Sequence, residues 1–345
     1  MIALRFLLLA VLSFLLFRSP LRAQSDPVSC TDSAYCVPGV LGMPRPKGVI
    51  LEYEGLTDFG IQARSRVDYL EDGAKREILE NRRLLFKFRL PVYNSPGLKL
   101  IAGAEYFEEH YHFEEPQTLE YPLYRLLQQH TLRSVGTRLY ISRLWRGNKY
   151  LFARLAANLN GDFQSGEVPL HRFLKVSASV LYGWKRNPQT AMGVGIGATY
   201  SFGRPLAFPL FMYNRSWLNG FGLEIMLPTK INARYNLSKS TIVYLTSELN
   251  GASYRIRLPE SFSGEAQTFE LRSSEVRNLF RVEQEIYDFL WLGLESGMRT
   301  NINFNLSEQN RIRRRADVVR NRLNHAFFFN VSLFLVPPRK WMKKK

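Results

Sequence analysis

Residues 174–184 read LKVSASVLYGW and residues 192–202 read MGVGIGATYSF. In the first stretch Leu174, Val176, Ala178, Val180, Tyr182 and Trp184 alternate with Lys175, Ser177, Ser179, Leu181 and Gly183. In the second Met192, Val194, Ile196, Ala198, Tyr200 and Phe202 alternate with Gly193, Gly195, Gly197, Thr199 and Ser201. Successive side chains of a strand point to opposite faces, so a repeat of two gives one apolar face and one polar or small face. A helix needs a repeat near 3.6, and neither stretch has it.

The same alternation extends through the chain. Leu84, Phe86, Phe88, Leu90 and Val92 are interleaved with Arg83, Lys87 and Arg89, and Leu151 to Leu159 with Arg154 and Asn158. Leu290, Leu292, Leu294, Met298, Ile302 and Phe304 alternate with Glu295, Arg299, Asn301 and Asn303, and Phe327 to Leu335 close the pattern. A soluble sandwich turns such an apolar face inward, whereas a membrane barrel turns it to lipid around a polar lumen. The alternating stretches run about 11–16 residues against the ~5–6 usual in soluble proteins. Their polar face holds Gly, Asn, Arg and Glu, and aromatics stand near their ends at Tyr182, Trp184, Tyr200, Phe202, Tyr235, Trp291 and Phe304, as interfacial girdles require.

Tight turns are predicted at 94–97, 145–148, 186–188, 236–239 and around Asp288, and longer polar loops near 70–79, 114–129, 161–170, 203–219, 258–266 and 306–324. These connections predict an all-β closed antiparallel transmembrane barrel of about twelve strands, within a range of ten to fourteen, both chain ends lying on the side of the short turns.

The first residues bound the compartment. Phe6 to Phe17, FLLLAVLSFLLF, follow Arg5, and Leu21-Arg22-Ala23 precede Gln24. That run is too short for a membrane helix but fits a signal peptide, residues 1–23, cleaved after Ala23. Residues 24–47 are proline-rich and read as a periplasmic N-terminal tail or small plug, residues 48–337 as the barrel, and residues 338–345 as a basic C-terminal tail. Removing Arg5, Arg18 and Arg22 leaves 44 basic residues against 30 acidic ones, a net charge of +14. Export argues against nucleic acid as the partner; the phosphates of lipopolysaccharide and outer-membrane lipid are the expected anionic surface. Cys30 and Cys36 lie in the tail, where export permits a disulfide that would staple only the tail.

The opening strand GVILEYEG (48–55), the strand RRLLFKFRLPVY (82–93) and the closing strand FFFNVSLFLVP (327–337) resemble those of Gram-negative outer-membrane β-barrels of unknown function. The resemblance covers most of residues 48–337 and implies the barrel fold, an outer-membrane location and assembly by the barrel-insertion machinery, but no reaction. Many such barrels end on an aromatic residue. Here Pro337-Pro338 stops the strand, so the insertion signal is expected inside the chain, at Phe329 to Leu335.

Several constellations could carry chemistry. Glu108, His110, His112 and Glu114 share one strand face and are a candidate metal set, against the plainer reading of an acidic rim. Arg83, Lys87, Arg89, Arg138, Arg154, Lys175, Glu224, Lys230, Arg234, Arg281, Glu283, Glu285, Glu295 and Arg299 are placed on the inward face. They make either a basic lumen favouring anions or a self-paired network that fills the barrel. Arg311, Arg313, Arg314 and Arg315 in the last long loop are candidates for contact with an anion or lipid headgroup. A lipid hydrolase needs a base beside its nucleophile, but the chain has no His-x-Ser; His130 lies four residues before Ser134, and Ser216 has no His beside it. No cofactor and no catalytic constellation is expected. The leading reading is a non-enzymatic pore or structural barrel with a basic lumen, and the alternatives are a lipid-modifying enzyme or a surface or lipopolysaccharide-binding barrel.

Overall fold

The computed structural model describes residues 39–67, 71–95, 97–145, 147–163, 173–199, 206–258, 267–308 and 317–342. Cys30, Cys36, the leader at 1–23, Tyr200, Phe202, and Arg311, Arg313, Arg314 and Arg315 lie outside them. Sixteen strands run β1 Val49–Leu56, β2 Phe59–Ser65, β3 Arg76–Asn94, β4 Leu98–Phe113, β5 Leu132–Leu144, β6 Lys149–Gly161, β7 Leu174–Asn187 and β8 Thr190–Thr199. They continue with β9 Leu206–Ser216, β10 Phe221–Leu227, β11 Lys230–Asn236, β12 Thr241–Leu258, β13 Gln267–Tyr287, β14 Leu290–Glu308, β15 Asp317–Leu323 and β16 Ala326–Leu335. Two α-helices, α1 Pro122–Gln129 and α2 Arg339–Met342, and a 3-10 turn at Pro116–Thr118 complete the described elements.

Sequential strands from β2 to β15 pair antiparallel, and β1 pairs with both β3 and β16. The sheet therefore closes on itself, which leaves no free edge. β1 and β2 are one wall strand interrupted at Thr57–Asp58, and β15 and β16 are one interrupted at Asn324–His325, because β2 pairs with β15 just as β1 pairs with β16. The barrel thus has fourteen wall positions in sixteen strands, more than the twelve predicted. The surplus lies between 203 and 240. Most of 203–219 is the strand β9, not a loop, and β10 and β11 are separate seven-residue strands joined through Pro228-Thr229. A two-residue connection on the side of the long loops broke the expected alternation of loop lengths.

The barrel narrows along its axis. At the loop end β6 meets β12 directly: Gly161 pairs parallel with Arg255, and the Asp162 N–H donates to the Arg255 carbonyl at 3.3 Å. A Cβ on Gly161 would lie 2.4 Å from the Phe173 ring and 2.7 Å from the Arg255 carbonyl oxygen, so only glycine permits this approach. The turn end is ringed by fourteen strands, while the loop end is ringed by nine: β12, β13, β14, β15, β2, β3, β4, β5 and β6. About eight strands give an interior just wide enough for side chains to fill. The nine-stranded end is filled accordingly by Phe59, Ile61, Ile78, Phe113, Ile256, Phe269, Phe304 and Phe328, none more than 3% exposed.

The outer wall is apolar along nearly every strand. Ile196 is 71% exposed, Leu245 66% and Phe327 61%, with Phe86, Phe88, Leu155, Val176 and Ile302 alongside. The outward Tyr182–Trp184 and Tyr287–Phe289 pairs sit near the turn end, their ring centroids 6.4 and 6.3 Å apart. Trp291 and Phe304, predicted for the girdle, instead face inward at 5% and 1% exposure. A register shift in β14, where Ser274 pairs with Asn303 but Glu275 with Asn301, carries Phe304 to the opposite face. Trp291 simply sits one position off the outward Leu290 and Leu292 and stacks on Phe334.

Candidate functional site

The lumen is the candidate site, and it is layered. The apolar core of the loop end is covered by α1, whose Leu123, Tyr124, Leu126 and Leu127 are buried in it. Pro122 opens the helix, where its missing N–H costs nothing. Two side chains pin α1: the Tyr124 hydroxyl accepts from the Ala63 N–H at 2.6 Å, and the Gln128 carbonyl from the Phe113 N–H at 2.8 Å. The predicted polar loop at 114–129 therefore holds an amphipathic helix that belongs to the barrel core.

Below this core lies a belt of paired charges. Arg83 donates two parallel hydrogen bonds to Glu275, at 2.7 and 2.9 Å, and reaches Glu109 at 2.8 Å and Glu54 at 3.3 Å. Glu275 stands on β13, separated from Arg83 on β3 by the wall strands β1, β16 and β14, so this bond crosses the lumen. Arg277 bonds Glu54 and lies 3.6 Å from Glu248, Lys230 lies 3.1 Å from Glu248, and Arg299 lies 3.8 Å from Glu275. Four cations thus meet four carboxylates. Arg277 and Arg299 also lie over the Phe328 and Phe59 rings, at 4.2 and 4.4 Å, which joins the belt to the core above.

Other pairs line the wider end, Arg281 with Glu295 at 2.5 Å and Arg234 with Glu224 at 2.9 Å, while Lys175, at the loop-side start of β7, pairs with Glu270 at 2.5 Å beside the β6–β12 contact. Residues 39–47 cross the turn-end mouth as a strap. Arg234 and Asn236 donate to the Gly42 carbonyl, Lys47 pairs with Glu283 at 2.6 Å, and Arg45 pairs with Asp288 at 3.0 Å and Glu285 at 3.5 Å. Arg339 of α2 holds the same two carboxylates, Glu285 and Asp288, from outside.

A third group lies on the wall formed by β3 to β6. Lys87, Arg89, Arg138 and Arg154 face inward there with Glu105 and Tyr140. Arg138 donates to Glu105 at 2.6 Å, and the Arg89 guanidinium lies 5.7 Å from the Tyr140 ring centre. Gly103, between Arg89 and Arg138 in the register, keeps the wall low under the Arg89 stem.

The sequence placed these lumen cations on the inward face but missed Glu54, Glu105, Glu109, Glu248, Glu275 and Arg277, along with Arg45 and Lys47 of the strap. Period two would have found several of them: Glu54 alternates with the outward Tyr53, and Glu109 stands one residue from the outward His110. Glu108, His110 and His112 do share a face, but that face points outside. The His110 ring bonds the Thr131 hydroxyl at 3.0 Å, the His112 ring the Gln128 amide at 3.2 Å, and Glu108 accepts from the Tyr106 hydroxyl at 2.5 Å. Glu114 lines a separate rim cleft of about 270 Å³ with Lys75, Arg76 and Asn324. Among the described residues no cluster of three or more His, Cys, Asp or Glu is placed to hold a metal. Ser134 bonds Asn160 at 2.7 Å, and Ser216 accepts from Arg234 at 2.8 Å.

The model of one protein family, described as a domain of unknown function (DUF6268), matches residues 137–335. No curated protein matches. Among solved structures, a FadL homologue of Pseudomonas aeruginosa is 7% identical with a TM-score of 0.43, over 84% of this chain and 90% of that one. The COG4313 outer membrane channel of Pseudomonas putida F1 is 10% identical with a TM-score of 0.39, over 84% and 97%. The Escherichia coli outer membrane protease OmpT is 9% identical with a TM-score of 0.29, over 85% and 97%. The architecture of this chain is a closed antiparallel β-barrel with an apolar outer face.

Proposed function

Starting from a chain that belongs to the family described as a domain of unknown function (DUF6268), we propose that it is a Gram-negative outer-membrane barrel sealed at its loop end, with no reaction of its own. It is not an open diffusion pore. One observation carries this reading: the β6–β12 contact reduces the wall to nine strands there, and apolar side chains with α1 fill the space inside them. A water-filled passage needs a polar, unfilled lumen, as wide barrels have. The charged belt beneath is self-paired, so it braces the wall and does not present free charge to passing ions. The apolar outer band supports burial in hydrocarbon, with outer-membrane lipid and lipopolysaccharide as the surrounding partners.

The test is conductance of the refolded full chain in a planar bilayer. A quiet bilayer after confirmed insertion is the expected result. Steady ion steps at low voltage would overturn the sealed-barrel reading, and fatty-acid release from the same bilayers would overturn the non-enzymatic one.

A further inference from the structure

Charge balance sets one region of the lumen apart. In the belt four cations face four carboxylates, and Arg281, Arg234, Lys175 and Lys47 each have an acid of their own. On the β3–β6 wall Lys87, Arg89, Arg138 and Arg154 face one carboxylate of that wall, Glu105, whose Oε1 accepts from Arg138 while its Oε2 is buried without a partner. The register shows why these groups converge. Arg89 pairs with Gly103, Gly103 with Arg138, and Tyr140 with Arg154, so the cations occupy adjoining rows separated by a residue without a side chain. Arg89, Arg138 and Arg154 all act electrostatically on Tyr140, and Arg138 and Arg89 act on Arg154. The Nε atoms of Arg138 and Arg154 are buried without a hydrogen-bond partner. Arg154 faces Ser179 across the ladder and Ser179 faces Gly197, so short residues adjoin Arg154 as far as the Phe208 and Leu210 side chains that cover Gly197.

Like charges gathered in a low-dielectric wall repel, and buried guanidinium groups need acceptors. We infer that the Lys87, Arg89, Arg138 and Arg154 cluster binds a small oxyanion, a phosphate, sulfate or carboxylate group, inside the fourteen-stranded chamber. Guanidinium forks match the paired oxygens of such groups, and the Tyr140 hydroxyl beside them can add a donor. The inference rests on the sealed-barrel reading in one respect: the anion enters from the turn end and is held in a blind chamber, not conducted.

The experiment is calorimetric titration of the refolded full chain in detergent with sodium phosphate and, separately, sodium acetate, with sodium chloride at matched ionic strength as control. Saturable binding of phosphate, acetate or both, absent with chloride, is expected; phosphate alone assigns a phosphoryl-type ligand, and equal binding of acetate assigns a carboxylate. Arg154→Gln should weaken binding about tenfold, the loss of one charge-assisted hydrogen bond. Glu105→Gln should tighten it several-fold, because it frees Arg138. A heat-dependent gel shift checks that each variant is folded. No saturable heat with either oxyanion, or affinities unmoved in both folded variants, would overturn the inference. Conductance tests the seal separately, so a leaky barrel that binds phosphate and a sealed one that does not are told apart.

Discussion

Among the described residues Arg83 joins more lumen carboxylates than any other cation. It touches Glu54, Glu109 and Glu275 while its side chain is only 10% exposed. Removing one member of a buried ion network leaves the others without a partner, which costs about 3–5 kcal/mol. Arg83→Met should therefore lower the unfolding free energy read from urea titration in detergent micelles by a margin of that order. Combining it with Glu275→Gln should recover part of the loss, and a double variant no better than the single one would show that the pairing is not the cause. Gly161 is critical for a different reason, since any Cβ there collides with both the Phe173 ring and the β12 backbone. Gly161→Val should part β6 from β12 and turn a quiet bilayer into a conducting one. A sealed Gly161→Val barrel would locate the closure elsewhere. Arg83 could be read from the sequence as a lumen cation; its partner Glu275 could not, because 192 residues separate them and only barrel closure brings them together.

At the scale of elements, α1 and the strap are held at opposite ends of the barrel by different physics. The helix acts through apolar burial, so Leu127→Asp, which places a charge at a fully buried position, should expel α1 and expose 114–131 to protease in folded barrels. Unchanged protection would mean that the helix is not held by its apolar face. The strap acts through charge. What burial Asp288 has works to raise its carboxyl, but the Arg339 N–H and the Arg45 and Arg339 guanidinium groups outweigh it and hold the carboxyl below the usual range. A lowered folded pKa gives a stabilisation that is present above the ordinary carboxylate value, near pH 4, and lost as pH falls through the lowered one. A fluorophore on residue 43 should therefore keep its restricted motion down to about pH 4 and gain freedom only in more acidic buffer. Release near neutral pH would exclude the carboxylates as the latch. The prolines of residues 24–47 suggested a tail or small plug; the seat of 39–47 could not be read, because its contacts on Glu283, Glu285 and Asp288 lie far along the chain. The β10–β11 hairpin was missed for a local reason: its strands are seven residues long and its outer connection has two.

For the whole molecule, the outward apolar band predicts that the refolded protein aggregates when detergent is diluted away and shows heat-dependent gel mobility while folded. Monodisperse protein without detergent would remove the membrane assignment. The repeat of two in stretches such as 174–184 and 192–202 determined the strands, the side each residue faces and the lipid-facing wall, because strand geometry ties face to parity without reference to any other part of the chain. Tertiary structure decided how many strands form the ring at each level, which cations find acids, and that the loop end is filled. Those outcomes depend on which strands meet when the sheet closes: the β6–β12 contact and the Arg83–Glu275 pair join positions that no local pattern connects.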